Sequence, residues 1–254
     1  MVSKIYYFSG TGNCLAVAKM INEKLTERSE IIPIKADNGK KNMKADRVGF
    51  VFPVYCHKIP KIVKQFILGM EFISIPYLYA VATHNGEPGQ SLFDIQSLLA
   101  KKGQSLSLGI GIEMPGNAIL TEPDVELKRL SDMEHKVIGI VDLIESQKEG
   151  IIEGVNSIIE HIRNSIVGFF AWNFVFSPNK FKISNNCSGC GICVKLCPIN
   201  NINLVNNKPK WINKCATCLA CFHWCPKEAI YMNNSFVHKR RKYHHPNISI
   251  NDMF

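Results

Sequence analysis

The chain has 254 residues, 30 Lys and Arg against 21 Asp and Glu (net +9), ten cysteines, 46% hydrophobic residues and a mean hydropathy near zero. That length gives one to two domains with an ordinary core, and the composition excludes disordered, collagen-like and coiled-coil chains. No apolar run approaches the ~20 residues of a membrane span.

In chain order, residues 2–8 read as a strand rich in aromatic and β-branched residues, and 13–25 as a helix. A short strand at 31–34, a strand at 47–55 and a helix at 61–68 follow. Then come a strand at 76–83, a helix at 90–102, a strand at 105–113 and a helix at 125–147. Such alternation implies right-handed crossovers and a doubly wound α/β fold with a five-stranded parallel sheet. Ligands of such sheets sit outside the carboxyl ends of the strands, so each loop after a strand is a candidate site.

The SGTGN stretch at 9–13 interrupts the first apolar segment, so no secretory leader is expected and the setting is read as cytoplasmic. In a reducing compartment ten cysteines point to metal ligands or redox groups rather than disulfides. Both charge and cysteine are unevenly placed. Residues 1–181 hold 20 basic and 19 acidic side chains, and residues 182–254 hold 10 and 2. Eight of the ten cysteines fall between Cys187 and Cys225, leaving Cys14 and Cys56 in the larger part. The chain therefore divides near residue 180.

The first strand runs into Ser9, Gly10, Thr11, Gly12, Asn13 and Cys14, and a helix begins there. Small hydroxyl residues and glycines between a strand and a helix N-terminus can wrap a phosphate with neutral N–H and O–H donors. The loop lacks the Lys of a Walker loop and the third glycine of the dinucleotide fingerprint. The alternative is a tight turn with a Ser or Thr cap. The loop resembles that of the flavodoxin family, which binds the phosphate of FMN; Cys14 stands where that family usually has a hydroxyl. The resemblance implies that Pro53, Val54 and Tyr55, and Thr83, His84, Asn85, Gly86 and Gly89, enclose the flavin ring. Tyr55 and His84 would stack on it or edge it. Cys56 is read as a half-buried thiol, and His57 and His84 as polar contacts with no carboxylate partner visible in sequence.

Two matched arrays follow. Cys187, Cys190, Cys193 and Cys197 precede Pro198; Cys215, Cys218, Cys221 and Cys225 precede Pro226. The spacing C-x2-C-x2-C-x3-C-P, given twice over roughly 182–233, resembles bacterial two-cluster ferredoxins, whose fourth cysteine crosses to the other cluster. The resemblance implies two [4Fe–4S] clusters, one on Cys187, Cys190, Cys193 and Cys225, the other on Cys215, Cys218, Cys221 and Cys197. Gly189 and Gly191 would let amides approach sulfur. Zinc is the alternative.

The chain as a whole resembles flavodoxin–ferredoxin fusions of anaerobes. This implies a flavodoxin-like FMN domain at 1–165, an aromatic linker packed between domains at 166–181, a small α+β dicluster ferredoxin domain at 182–233 and a basic tail at 234–254. The tail, with its HKRRK run, is read as a solvated end or a partner-docking patch, not a nucleic-acid site. The expected role is electron transfer between clusters and FMN for a redox partner protein, such as a ferredoxin, reductase or dehydrogenase. The alternative is an FMN-dependent reductase of a small acceptor. Cluster and FMN charge would bring the net charge of the loaded protein nearer about +3. No oligomeric state is indicated.

Overall fold

The computed structural model describes residues 2–36, 41–73, 76–170, 181–212, 214–232 and 241–254. The elements of the first part are Ser3–Tyr7 (β1), Asn13–Lys24 (α1), Glu30–Pro33 (β2), Lys41–Met43 (β3), Arg47–Pro53 (β4) and Lys61–Gly69 (α2). They continue with Met70–Phe72 (β5), Tyr77–His84 (β6), Ser91–Ala100 (α3), Leu108–Glu113 (β7), Pro123–Glu145 (α4) and Ile151–Ile152 (β8).

The main sheet is parallel, in the order β2-β1-β4-β6-β7-β8. It therefore has six strands and not the five expected. The extra strand, β8, is two residues pairing with Leu108 and Gly109, too short to leave an alternating or apolar run in the sequence. A separate short parallel pair, β3 with β5, lies outside this sheet.

Central strands β4 and β6 are buried almost throughout, as expected where helices cover both faces of a parallel sheet. Helix α4 turns Met133, Val137, Ile140, Val141 and Ile144 inward at helical spacing, and it packs against α1 while α2 packs against α3. The chain leaves β1 towards β2 on one side and β4 on the other. That switch point opens a crevice at the carboxyl ends.

After Ile158–Phe170 (α5) come Phe181–Ile183 (β9), Ile192–Lys195 (α6), Ile202–Val205 (β10), Lys208–Trp211 (β11), Ala220–His223 (α7) and Ile230–Met232 (β12). Strands β10 and β11 form one antiparallel pair and β9 and β12 another. This part has its own small core around Phe181, Ile202, Phe222 and Met232, with Phe181 stacked on Trp211. It also joins the sheet's core, because Leu196, Cys218, Ala220 and Trp224 belong to the same buried cluster as the strands.

Most of the aromatic linker, residues 171–180, lies outside the described residues, as do residue 233 and 234–240 of the basic tail. From residue 241 onward the chain is not a solvated tail. Tyr243 and His245 are buried (3% and 1% exposed), and a final 3-10 turn at Ile250–Met253 follows. No helix among the described residues is long and apolar enough to cross a membrane.

Candidate cofactor sites

Strand β1 delivers Ser9 to Cys14 to the crevice. Gly12 adopts φ +95°, open to glycine at little cost, and its N–H donates to Ser9 Oγ at 3.0 Å. Helix α1 begins there with no side-chain cap hydrogen bond, which leaves its first-turn amides for another acceptor. The polar side chains of the loop brace it. Asn13 donates to the Pro115 carbonyl at 2.8 Å and accepts from Tyr243 Oη at 2.6 Å. Cys14 Sγ meets Thr83 Oγ1 at 3.1 Å, and burial pushes its thiol up to about 12.

A cavity of about 500 Å³ opens beside this loop. Around it the structure gathers Ser9, Gly10, Thr11, Asn13, Cys14, Pro53, Val54, Tyr55, Thr83, His84, Asn85 and Gly86, with Cys56 and His57. Gly12 and Gly89 stand behind the lining; Gly89 accepts Val155 N–H at 2.9 Å. Three contributors were not foreseen: the loop from Met114 to Ile119, Val167 of α5, and Thr217 from the second cysteine array. The first follows a strand end and carries Gly116, a signal the β7 pattern offered; the other two arrive only through tertiary packing. Asn85 ties the Met114–Ile119 loop down through the Ile119 carbonyl (3.1 Å) and Arg129.

Among the described residues the lining carries no Lys or Arg, so an anion there would meet amides and hydroxyls. Burial holds His84 neutral, with its pKa lowered to about 4, and its buried Nδ1 has no partner among the described residues. His57 does have a carboxylate partner in space: its Nδ1 lies 3.1 Å from Glu87 Oε1. His57 and Cys56 both sit at positive φ, +62° and +49°. A cavity of this size with uncapped helix amides and an unpartnered ring nitrogen fits a phosphorylated planar heterocycle such as FMN.

The cysteines form two groups. Cys187, Cys190, Cys193 and Cys225 line one small pocket, and Cys197, Cys215, Cys218 and Cys221 line another. The two arrays share one backbone. Gly189 (φ +71°) and Gly191 (+76°) correspond to Thr217 (+54°) and Leu219 (+58°), and Asn200 (+51°) to Glu228 (+46°). Sulfur acceptors repeat too: Asn201 N–H donates to Cys197 Sγ at 3.1 Å and Ala229 N–H to Cys225 Sγ at 3.3 Å.

Burial pushes Cys218 up to about 12 and Cys221 well above the usual thiol range. As buried thiolates they require a metal. Among the described residues no three His, Cys, Asp or Glu side chains converge as ligands of one ion. Four thiolates spread round a pocket fit a four-iron cubane, which takes one ligand per iron.

The second cysteine pocket abuts the flavin-sized cavity. A side chain at Gly10 would begin 2.1 Å from the Cys218 carbonyl oxygen, and Trp224 Nε1 donates to the Gly10 carbonyl at 3.0 Å. Burial, and then the nearby Cys218 and Cys14 thiols, push the Tyr55 phenol well above its usual range. The first cysteine pocket contributes nothing to that wall, and its Cys190 is exposed.

Residues 4–71 match the family model of the flavodoxin domain and residues 186–230 that of the 4Fe–4S dicluster domain. The order of the two matches is that of a flavodoxin–ferredoxin fusion. No curated protein matches the chain. Among solved structures, a putative flavoprotein from Bacteroides uniformis is 13% identical, covering 56% of this chain and 97% of that one (TM-score 0.39). A Streptococcus pneumoniae flavodoxin is 13% identical, covering 55% and 99% (TM-score 0.39). A Lactobacillus acidophilus flavoprotein solved in complex with FMN is 12% identical, covering 43% and 92% (TM-score 0.36).

Proposed function

We propose that this chain, a flavodoxin domain followed by a 4Fe–4S dicluster domain, is an electron-transfer flavoprotein linking two [4Fe–4S] clusters to FMN. It would couple one-electron carriers to a redox partner protein in the cytoplasm. Bound clusters exchange single electrons, whereas FMN accepts one or two, so the pair can join carriers of different stoichiometry.

The protein's own part is placement. Cys187, Cys190, Cys193 and Cys225 would hold the outer cluster, where Cys190 reaches solvent. Cys215, Cys218, Cys221 and Cys197 would hold the inner one. Amides of residues 10–14 and the Ser9 and Thr11 hydroxyls would hold the phosphate; Tyr55, His84, Asn85 and Gly86 would frame the ring. Asn13 and Cys14 act mainly by bracing the loop. The observation that supports the reading is the close approach of Gly10 to the Cys218 carbonyl, which would set a phosphate loop at residues 9–14 against the inner cluster.

A second reading has one observation in its favour. The His57–Glu87 pair at the cavity wall can hold and deliver a proton, as a reductase of a small acceptor requires. Anaerobic purification followed by iron, sulfide, zinc and flavin assay tests the main reading. About eight iron, eight sulfide and one FMN per chain are expected. Zinc in place of iron, or absence of flavin, would refute it.

A further inference from the structure

A cavity of about 970 Å³, larger than the flavin-sized one, lies beside α2, α3 and the end of α5. Among the described residues five lysines line it, Lys58, Lys61, Lys64, Lys101 and Lys214, against one carboxylate, Asp94. Lys58 donates to Ser165 Oγ at 2.5 Å. No carboxylate among the described residues forms an ion pair with the other four. Like charges gathered round a concavity raise the local concentration of anions.

The inner wall has a different chemistry. Ile59, Phe93 and Leu98 supply apolar and aromatic surface. Among them stands Gln90, 8% exposed, whose buried Oε1 has no hydrogen-bond partner among the described residues. An unmade hydrogen bond at a buried amide is costly, and a ligand N–H or O–H would complete it. Three demands therefore fall on one occupant: a ring-sized apolar body, a donor at its buried end, and two or more negative charges at the lysine end. A convex acidic protein surface could meet the lysines but could not reach Gln90.

We propose that this cavity binds a nucleotide, with the base against Phe93 and its amino group on Gln90 and the phosphates among the lysines. Tyr55, Cys56 and Thr217 line both this cavity and the flavin-sized one, and Cys215 lines both this cavity and the inner cysteine pocket. The nucleotide would thus lie next to the redox groups. That adjacency rests on the proposed function; the binding itself does not.

The test is calorimetric titration of the anaerobically purified full chain with ADP, adenosine and pyrophosphate, with flavin and iron assayed on every sample. ADP is expected to bind once per chain, at least about tenfold tighter than adenosine or pyrophosphate, and more weakly as salt is raised. Lys61→Ala with Lys64→Ala should weaken ADP by about tenfold, and Gln90→Leu by about three- to tenfold, with flavin and iron contents unchanged. No binding of ADP, pyrophosphate binding as tightly as ADP, or an affinity that neither variant moves would overturn the proposal. Protein without flavin or iron that still binds ADP would refute the redox reading and leave this one standing. Flavin- and iron-replete protein that ignores ADP would do the reverse.

Discussion

Gly10 is where two parts of the chain touch backbone to backbone. The contact leaves no room for a methyl group, and the same residue's carbonyl is the acceptor for Trp224. Gly10→Ala must push the loop and the Cys218 turn apart, at a cost of about 2–3 kcal/mol. A lower urea midpoint together with weaker FMN retention is expected, and an unchanged midpoint would show that the two parts are not in contact. His245 offers a second residue-scale test. Burial lowers its pKa to about 4, against about 6.5 in the unfolded chain. Its contribution is complete above pH 6.5 and is lost as pH falls towards 4, because the unfolded chain takes up a proton that the folded one refuses. Stability should therefore drop by about 1–2 kcal/mol between pH 7 and 5 from this group, and His245→Gln should flatten that slope. Neither role was legible in the sequence. Gly10 reads there as a phosphate-loop glycine and His245 as part of a basic run, since their partners are 208 and 234 residues away in the chain (Cys218 and Thr11).

At the scale of elements, the two cysteine arrays were legible because their spacing repeats in one dimension. The structure adds that the repeat extends to backbone angles. The first array meets its left-handed positions with glycines and the second with Thr217 and Leu219. A β-carbon at such a position costs about 1–2 kcal/mol. Thr217→Gly should therefore stabilise the cofactor-loaded protein by about 1 kcal/mol, read as a higher urea midpoint. Gly189→Ala should lower it, since its β-carbon would also start 2.7 Å from the Asn207 carbonyl oxygen. Equal effects of the two changes would deny the equivalence. The α/β alternation was likewise readable, because buried parallel strands and amphipathic helices leave different periods. The edge strand Ile151–Ile152 was not, being shorter than any period. The segment from 241 onward, expected as a solvated end or a partner-docking patch, buries Tyr243, His245 and Ile248 instead of lying free in solvent. Its Lys242 lies over the Phe222 ring, 3.1 Å from the centroid, and burial lowers that ammonium's pKa to about 8. A run of basic residues gives no sign of such packing.

At the scale of the molecule, the net +9 is concentrated after residue 181, in the part that holds the eight clustered cysteines. Two bound clusters would offset part of that surplus. Another basic group, Lys61, Lys64 and Lys101, belongs to the first part and faces the large cavity. Among the described residues the sheet and the cysteine arrays share one buried core through Leu196, Cys218 and Trp224, and the inner cysteine pocket adjoins the flavin-sized cavity. Electron exchange between them should be internal to each molecule. Rapid mixing of the oxidised, cofactor-loaded protein with a one-electron reductant of the clusters, over a tenfold range of protein concentration, measures this directly. Flavin bleaching that follows cluster bleaching at a rate independent of protein concentration is the expected result. A rate that rises in proportion to protein concentration, or clusters that stay reduced while the flavin stays oxidised, would contradict it.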